Sequence, residues 1–232
     1  MNLVKKMLYV AALGTITLAP VVSSVVSAAP VAASAQQATT SLVQQLSGLQ
    51  RFTANFEQTT KVTSGQKVAQ TKGLTAQHMN QTFNGIMKVE RPGKFYWETT
   101  SPAKQTIVTS GKVVWIYDPD LQQAVRQSLD DQVANTPALL LSGNAQQIMQ
   151  SYRVTQPDKS KLYYTLYPKQ KEGAFQSLTI SFGANKAPNL MILQDALGQT
   201  TYIKFSNVKV NQAIPASVFN FQPPKGTDVI DQ

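Results

Sequence analysis

The chain has 232 residues, a formal charge of +9, no cysteine and a single histidine. The missing thiols exclude cysteine catalysis, disulfide staples, zinc–thiolate sites and a lipid-modified cysteine. One histidine, His78, leaves little material for a His-based triad, and the length suits one domain around one core.

Lys5 and Lys6 precede the apolar run Met7–Leu18, and small residues follow, which is the layout of a secretory signal peptide. The run is short for a membrane span. Small-x-small cleavage sites end at Ala28 and Ala35. The second is preferred because Gln36 opens the first polar, helix-compatible segment. The expected organisation is a removed leader, residues 1–35 (or 1–28), and a single domain, residues 36–232. Without the two leader lysines the domain carries +7. Export points to the periplasm or cell surface, where a basic protein meets anionic lipid, acidic partners or wall polymers. Nucleic acid is disfavoured because export removes the encounter.

Gln36–Gln50 is predicted helical: Leu42, Val43, Leu46 and Leu49 recur at three- and four-residue spacing, with Gly48 near the end. From Phe52 the period falls to two, Phe52, Ala54 and Phe56 alternating with polar residues. Strand-like runs follow at Thr82–Val89, Lys94–Thr99, Gln105–Thr109, Val113–Asp118 and Gln123–Ser128. After an interruption they resume at Tyr152–Gln156, Lys161–Tyr167, Ser177–Phe182, Leu190–Gln194 and Thr200–Val208. Ser110-Gly111 and Asp118-Pro119-Asp120 supply turns. Polar Thr63–Asn80 is expected to form a long hairpin. Such spacing predicts an antiparallel sheet, curled or sandwiched. The interruption, Asp131–Ser151, is expected to hold two short helices. Thr136 is its N-cap, Pro137 its first helical position and Gly143 a terminator, and Ala145–Met149 forms the second.

The chemistry of an enzyme is not assembled anywhere along the chain. The acids show no metal-loop spacing. Asp118-Pro119-Asp120 begins like a calcium loop but lacks the later glycine and glutamate. No glycine-rich phosphate cradle follows a strand. No catalytic residue, metal or cofactor is therefore expected, although carboxylates brought together in space are invisible to sequence.

Within Lys94–Glu98, Phe95 and Trp97 share one strand face; within Val113–Tyr117, Val113, Trp115 and Tyr117 share one. A curved sheet lined this way is either packed solid or left hollow for an apolar ligand, and periodicity does not distinguish the two.

The motifs FTANFEQ (Phe52–Gln58), RPGKFYW (Arg91–Trp97), SGKVVWIYDPDLQQ (Ser110–Gln123), NTPALLLSG (Asn135–Gly143) and FNFQPPKGTDVID (Phe219–Asp231) occur in that order. As an ordered set they resemble the periplasmic outer-membrane lipoprotein carrier family, LolA, over nearly the whole exported chain. The resemblance implies a mainly β fold with a helical lid: an incomplete, strongly curved antiparallel barrel closed by short helices over a hydrophobic cavity. It implies a non-enzymatic, monomeric carrier that takes triacylated lipoproteins from an inner-membrane lipoprotein-releasing ABC transporter. The cargo then passes to an outer-membrane lipoprotein receptor. Phe52, Phe56, Phe95, Trp97 and Trp115 would be cavity walls, and Pro137, Leu139, Leu140 and Leu141 would supply the lid. Arg91 matches the family's latch arginine, whose five donors suit the orphan carbonyls of a helix end. Set against these are pairing of Arg91 with Glu90 or Glu98, an envelope lipid- or polymer-acting hydrolase, and a lipid-sensing domain of the same fold.

Overall fold

The computed structural model describes residues 29–62, 81–129, 141–143, 145–170 and 175–232. Its first element, α1, is Ala29–Ser47. It starts earlier than predicted because the alanine-rich stretch before Gln36 has high helix propensity, and Pro30 sits in the first turn, where its missing N–H costs nothing. Ala38, Leu42 and Leu46, four residues apart, are buried on one face. The helix stops at Ser47. Gly48 still donates to the Gln44 carbonyl at 3.2 Å, and Leu49 closes a tighter turn onto Leu46 at 3.0 Å.

The strands then run in chain order. The first six are β1 (Arg51–Val62), β2 (Thr82–Glu90), β3 (Lys94–Ser101), β4 (Gln105–Ser110), β5 (Val113–Asp118) and β6 (Gln123–Ser128). A second helix, α2 (Ala145–Ser151), precedes β7 (Tyr152–Thr155), β8 (Tyr163–Pro168), β9 (Phe175–Phe182), β10 (Pro188–Asp195) and β11 (Gln199–Val210). A 3-10 turn, Ala216–Phe219, and β12 (Asp228–Asp231) complete the chain. The twelve strands among the described residues form one sheet in the order β12-β6-β5-β4-β3-β2-β1-β11-β10-β9-β8-β7. The sheet is open, with β12 and β7 at its edges.

Every chain-consecutive strand pair is antiparallel, as the turn chemistry predicts. Gly111, at φ 82°, lies in the β4–β5 turn, which closes between Ser110 and Val113. At the β5–β6 turn, Asp118 Oδ1 accepts the amides of Asp120 and Leu121 at 2.9 and 3.0 Å, so this carboxylate organises a turn. The final strand departs from expectation: β12 pairs in parallel with β6, Asp231 opposite Arg126. Four residues with acids at both ends and two adjacent apolar residues between them carry no hydrophobic period, so no strand is legible there.

The second helix of the interruption is present as α2. Of the first, expected from Thr136 to its terminator Gly143, residues 136–140 lie outside the described residues, as do the segment Thr63–Asn80, expected as a hairpin, and His78 within it. The strands flanking that segment pair antiparallel, Thr59 opposite Thr82.

One face of the sheet carries the core. Cross-strand rows place Phe52, Val89, Phe95, Thr109 and Val114 side by side, and next to them Ala54, Met87, Trp97, Ile107 and Ile116. Leu42, Leu46 and Leu49 from α1 and its exit, Leu141, and Ile148 of α2 belong to the same buried cluster. The helices thus cover the apolar face, as the lid arrangement requires. Ser41 Oγ and Tyr164 Oη, 2.7 Å apart, tie α1 to β8.

Candidate functional site

The apolar face is built from strand alternation. Along β3, Phe95, Trp97 and Thr99 point into the core while Tyr96 and Glu98 point away. Phe56 of β1 stacks on Trp97 with ring centroids 3.7 Å apart and planes 20° from parallel, and Phe95 lies 6.2 Å from the same indole. The Phe56 ring has room because Gly85 faces it across the strand pair. A Cβ at Gly85 would run into the Glu98 carbonyl oxygen and the ring of Phe56. Phe52, Phe56, Phe95 and Trp97, all singled out from the sequence, therefore share one buried face.

Trp115 does not join them, which corrects the expectation that it lines the same wall. The register runs Lys88, Tyr96, Val108, Trp115, Arg126, the row facing away from Phe95 and Trp97. There its ring lies 5.6 Å from Phe221, which also approaches Tyr117 at 5.5 Å, and 5.6 Å from the Arg126 guanidinium. Buried Val108, Ala124 and Phe219 are outside the main cluster. The C-terminal segment has thus covered a second, smaller apolar patch on the outer face. The physical reason is that β5 is apolar on both faces. Alternation groups Trp115 with Tyr117 but does not say which face is inner.

At the rim of the core face, the β2–β3 turn carries Arg91. Its amide donates to the Gln50 carbonyl at 2.8 Å, which ties the turn to the exit of α1. Its Nη1 donates to the Gly143 carbonyl at 2.7 Å, and Gly93 N donates to the Ser142 carbonyl at 2.9 Å. Two bonds therefore hold residues 142–143, just before α2, against this turn. Leu141, next in line, is fully buried in the core. Pro137, Leu139 and Leu140 lie outside the described residues.

Arg91 pairs with neither Glu90 nor Glu98. Glu90 is taken by Arg51 at 2.8 Å and Lys94 at 2.6 Å. The hydrogen bonds from Lys94 and Arg51 hold its carboxyl below the ordinary 4.5. Glu98 accepts from the Tyr96 hydroxyl at 2.8 Å. With no carboxylate beside it among the described residues, the Arg91 guanidinium is pushed down by burial to about 10, and it stays charged at neutral pH. Its Nε and Nη2, and the Thr109 hydroxyl on the core face, are buried without a hydrogen-bond partner among the described residues. Thr109 could not have been found from sequence, where a threonine in a strand is simply a good β-former.

Among the described residues, no group of three His, Asp or Glu side chains is placed to hold a metal ion, and no helix is long and apolar enough to cross a membrane.

Residues 47–222 match the family described as outer membrane lipoprotein carrier protein LolA. A protein of Pseudomonas fluorescens named outer-membrane lipoprotein carrier protein is 44% identical over 192 residues, covering 82% of this chain and 87% of its own length. One of the same name from Hahella chejuensis is 42% identical over 211 residues, covering 88% and 95%. In fold, the chain is similar to an uncharacterized conserved protein from Thermus thermophilus, with a TM-score of 0.51 at 14% identity over 86% of this chain and 99% of that one. The chain belongs to the LolA family of outer membrane lipoprotein carrier proteins.

Proposed function

We propose that this protein is a periplasmic chaperone for lipoproteins. It shelters their acyl chains between the curved sheet and its helices and carries them from the inner membrane to the outer. The observation that carries the reading is a broad apolar sheet face whose helical cover is fastened at its rim by Arg91 and Gly93. The names of relatives above 40% identity support it.

The physics sets two requirements. Each methylene kept out of water is worth about 0.8 kcal/mol, so a chain of a dozen carbons is held from water by roughly 10 kcal/mol. A diffusible carrier must supply that much apolar surface, and it must give it back at the destination. A cover held by a few hydrogen bonds, each worth about 1 kcal/mol net, opens at small cost compared with the burial it controls.

Within this reading Arg91 is the latch. Phe52, Phe56, Phe95 and Trp97 are the acyl-facing wall, and Leu141, with the Pro137–Leu140 segment before it, belongs to the lid. No bond in the cargo is made or broken. The donor is an inner-membrane lipoprotein-releasing ABC transporter and the acceptor an outer-membrane receptor. The carrier works as a monomer after removal of residues 1–35, or of 1–28.

The chain recovered from the periplasm of an expressing bacterium is the material for the test, and its N-terminal sequence reads the cleavage site directly. Mixed with inner-membrane vesicles that hold triacylated lipoprotein and the energised transporter, it should yield soluble one-to-one complexes. A folded chain that releases no lipoprotein would sink the carrier reading.

A further inference from the structure

Buried polar side-chain atoms nearly always find a partner, and those that do not call for an explanation. Among the described residues three are left: Arg91 Nε, Arg91 Nη2 and Thr109 Oγ1. All three belong to one end of the sheet. Arg91 opens the turn between β2 and β3. Thr109 sits opposite Phe95, one pair in from Lys94–Ser110, where β3 begins. Thr109 is 1% exposed and stands in a cross-strand row with Phe95 and Val114, both fully buried.

Stability alone does not account for this hydroxyl. Valine has nearly the same shape and would fill the place without stranding a polar atom. The guanidinium N–H groups only donate, and the hydroxyl is free to donate, so what is missing at both points is an acceptor. The Thr109 hydroxyl stands between buried apolar side chains, so the acceptor that reaches it must arrive attached to something apolar. An acyl group held in ester or amide linkage is such a ligand, with a carbonyl oxygen at the head of an alkyl chain.

We propose that Thr109 and the unused N–H groups of Arg91 bind the acyl carbonyl oxygens of the cargo and so set the depth to which its chains enter. This rests on the carrier reading and deepens it. The rim would select acyl linkages, whereas the apolar face alone would accept any alkyl chain. Thr109 is then a specificity residue, and Arg91 serves both the cover, through Nη1, and the ligand, through Nε and Nη2.

The test uses the full exported chain and two ligands of equal carbon count. One is a dipalmitoylglyceryl-cysteinyl peptide and the other its dialkyl-ether counterpart, each displacing a fluorescent fatty-acyl probe. The ester form should bind tighter by about fivefold for each hydrogen bond the ether lacks. Thr109→Val should lose about fivefold in ester affinity, keep its ether affinity, and melt no lower than the parent. Thr109→Ser should retain the preference. Equal binding of the two ligands by the parent chain overturns the anchor and leaves the carrier reading standing, and this arm needs no variant. An undiminished ester preference in Thr109→Val also removes Thr109 from the site. Failure to bind either ligand overturns the carrier reading itself and this inference with it.

Discussion

Arg91 Nη1 donates to the Gly143 carbonyl across 2.7 Å, joining the β2–β3 turn to the segment that leads into α2. The donor is a buried guanidinium without a carboxylate partner among the described residues, and two of its nitrogens are unused there. Replacing a buried charge that has no ion-pair partner by an apolar side chain of similar volume removes its desolvation penalty. The bond lost to Gly143 is worth about 1.5–3 kcal/mol. These offset each other. Arg91→Leu is expected to melt within a few degrees of the parent while hydrogen exchange at residues 141–151 accelerates and hand-off of cargo fails. A large drop in melting temperature with unchanged exchange there would place Arg91 in the general scaffold and not at the cover.

The two tryptophans lie on opposite faces of one sheet, so they report on different events. Trp97→Ala removes a buried ring stacked on Phe56 and should cost about 3–5 kcal/mol, with acyl binding weakened but measurable at higher ligand concentration. Trp115→Ala should cost about 1–2 kcal/mol, loosen the segment around Phe221 and leave acyl affinity within twofold. Each variant keeps one indole. An acyl ligand should change the fluorescence of the chain that retains Trp97 and not of the chain that retains Trp115. The reverse pattern would put the ligand on the outer face.

Gly85 is the position where the aromatic wall depends on the absence of a side chain. A methyl group there collides with the Glu98 backbone oxygen, which cannot swing aside, as well as with Phe56. Gly85→Ala should lower stability by about 1–3 kcal/mol in urea titration and weaken the near-ultraviolet dichroism of the Phe56–Trp97 stack. An unaltered urea midpoint would show that the strand pair yields more easily than its register suggests.

β12 is fastened by Asp231, whose two oxygens accept from Arg126 Nε and Nη2 at 2.7 and 2.9 Å. That hydrogen-bonded pairing holds the Asp231 carboxyl below its ordinary 3.8. A lowered folded-state value means that the contribution is complete above the ordinary value and is lost as pH falls through the folded one. Both groups are exposed, so salt weakens the pair. Hydrogen exchange of β12 should accelerate below pH 3.8 ahead of the central strands, and Asp231→Asn should reproduce that pattern at neutral pH. Simultaneous loosening of β12 and β1 on acidification would argue that the clasp is not the first point to give.

Much of the sheet is legible because one-sided burial writes its period into the chain. Phe52, Ala54 and Phe56, then Phe95 and Trp97, alternate cleanly, and structure places them together. β5 is the instructive failure. Val113 through Tyr117 is apolar at every position, so its parity carries no information about which side is inner. The hidden term was the C-terminal segment, whose Phe219 and Phe221 come from about a hundred residues away in the chain to cover the outer side. β12 was illegible for a related reason: its partner is a sheet edge, and an edge asks for backbone groups more than for side chains.

By itself the sequence determined most of the described secondary elements, the order of most strands through their turns, the lack of thiol chemistry, and, through its ordered motifs, the family. Only the tertiary structure decided that Trp115 faces outward, that Glu90 is already occupied, and that Arg91 reaches Gly143 while leaving two nitrogens unused. Periodicity records which side of a strand is buried, because each residue answers to its own local face. What fills that side, and which buried donors still lack an acceptor, depends on residues distant in sequence arriving at one point in space.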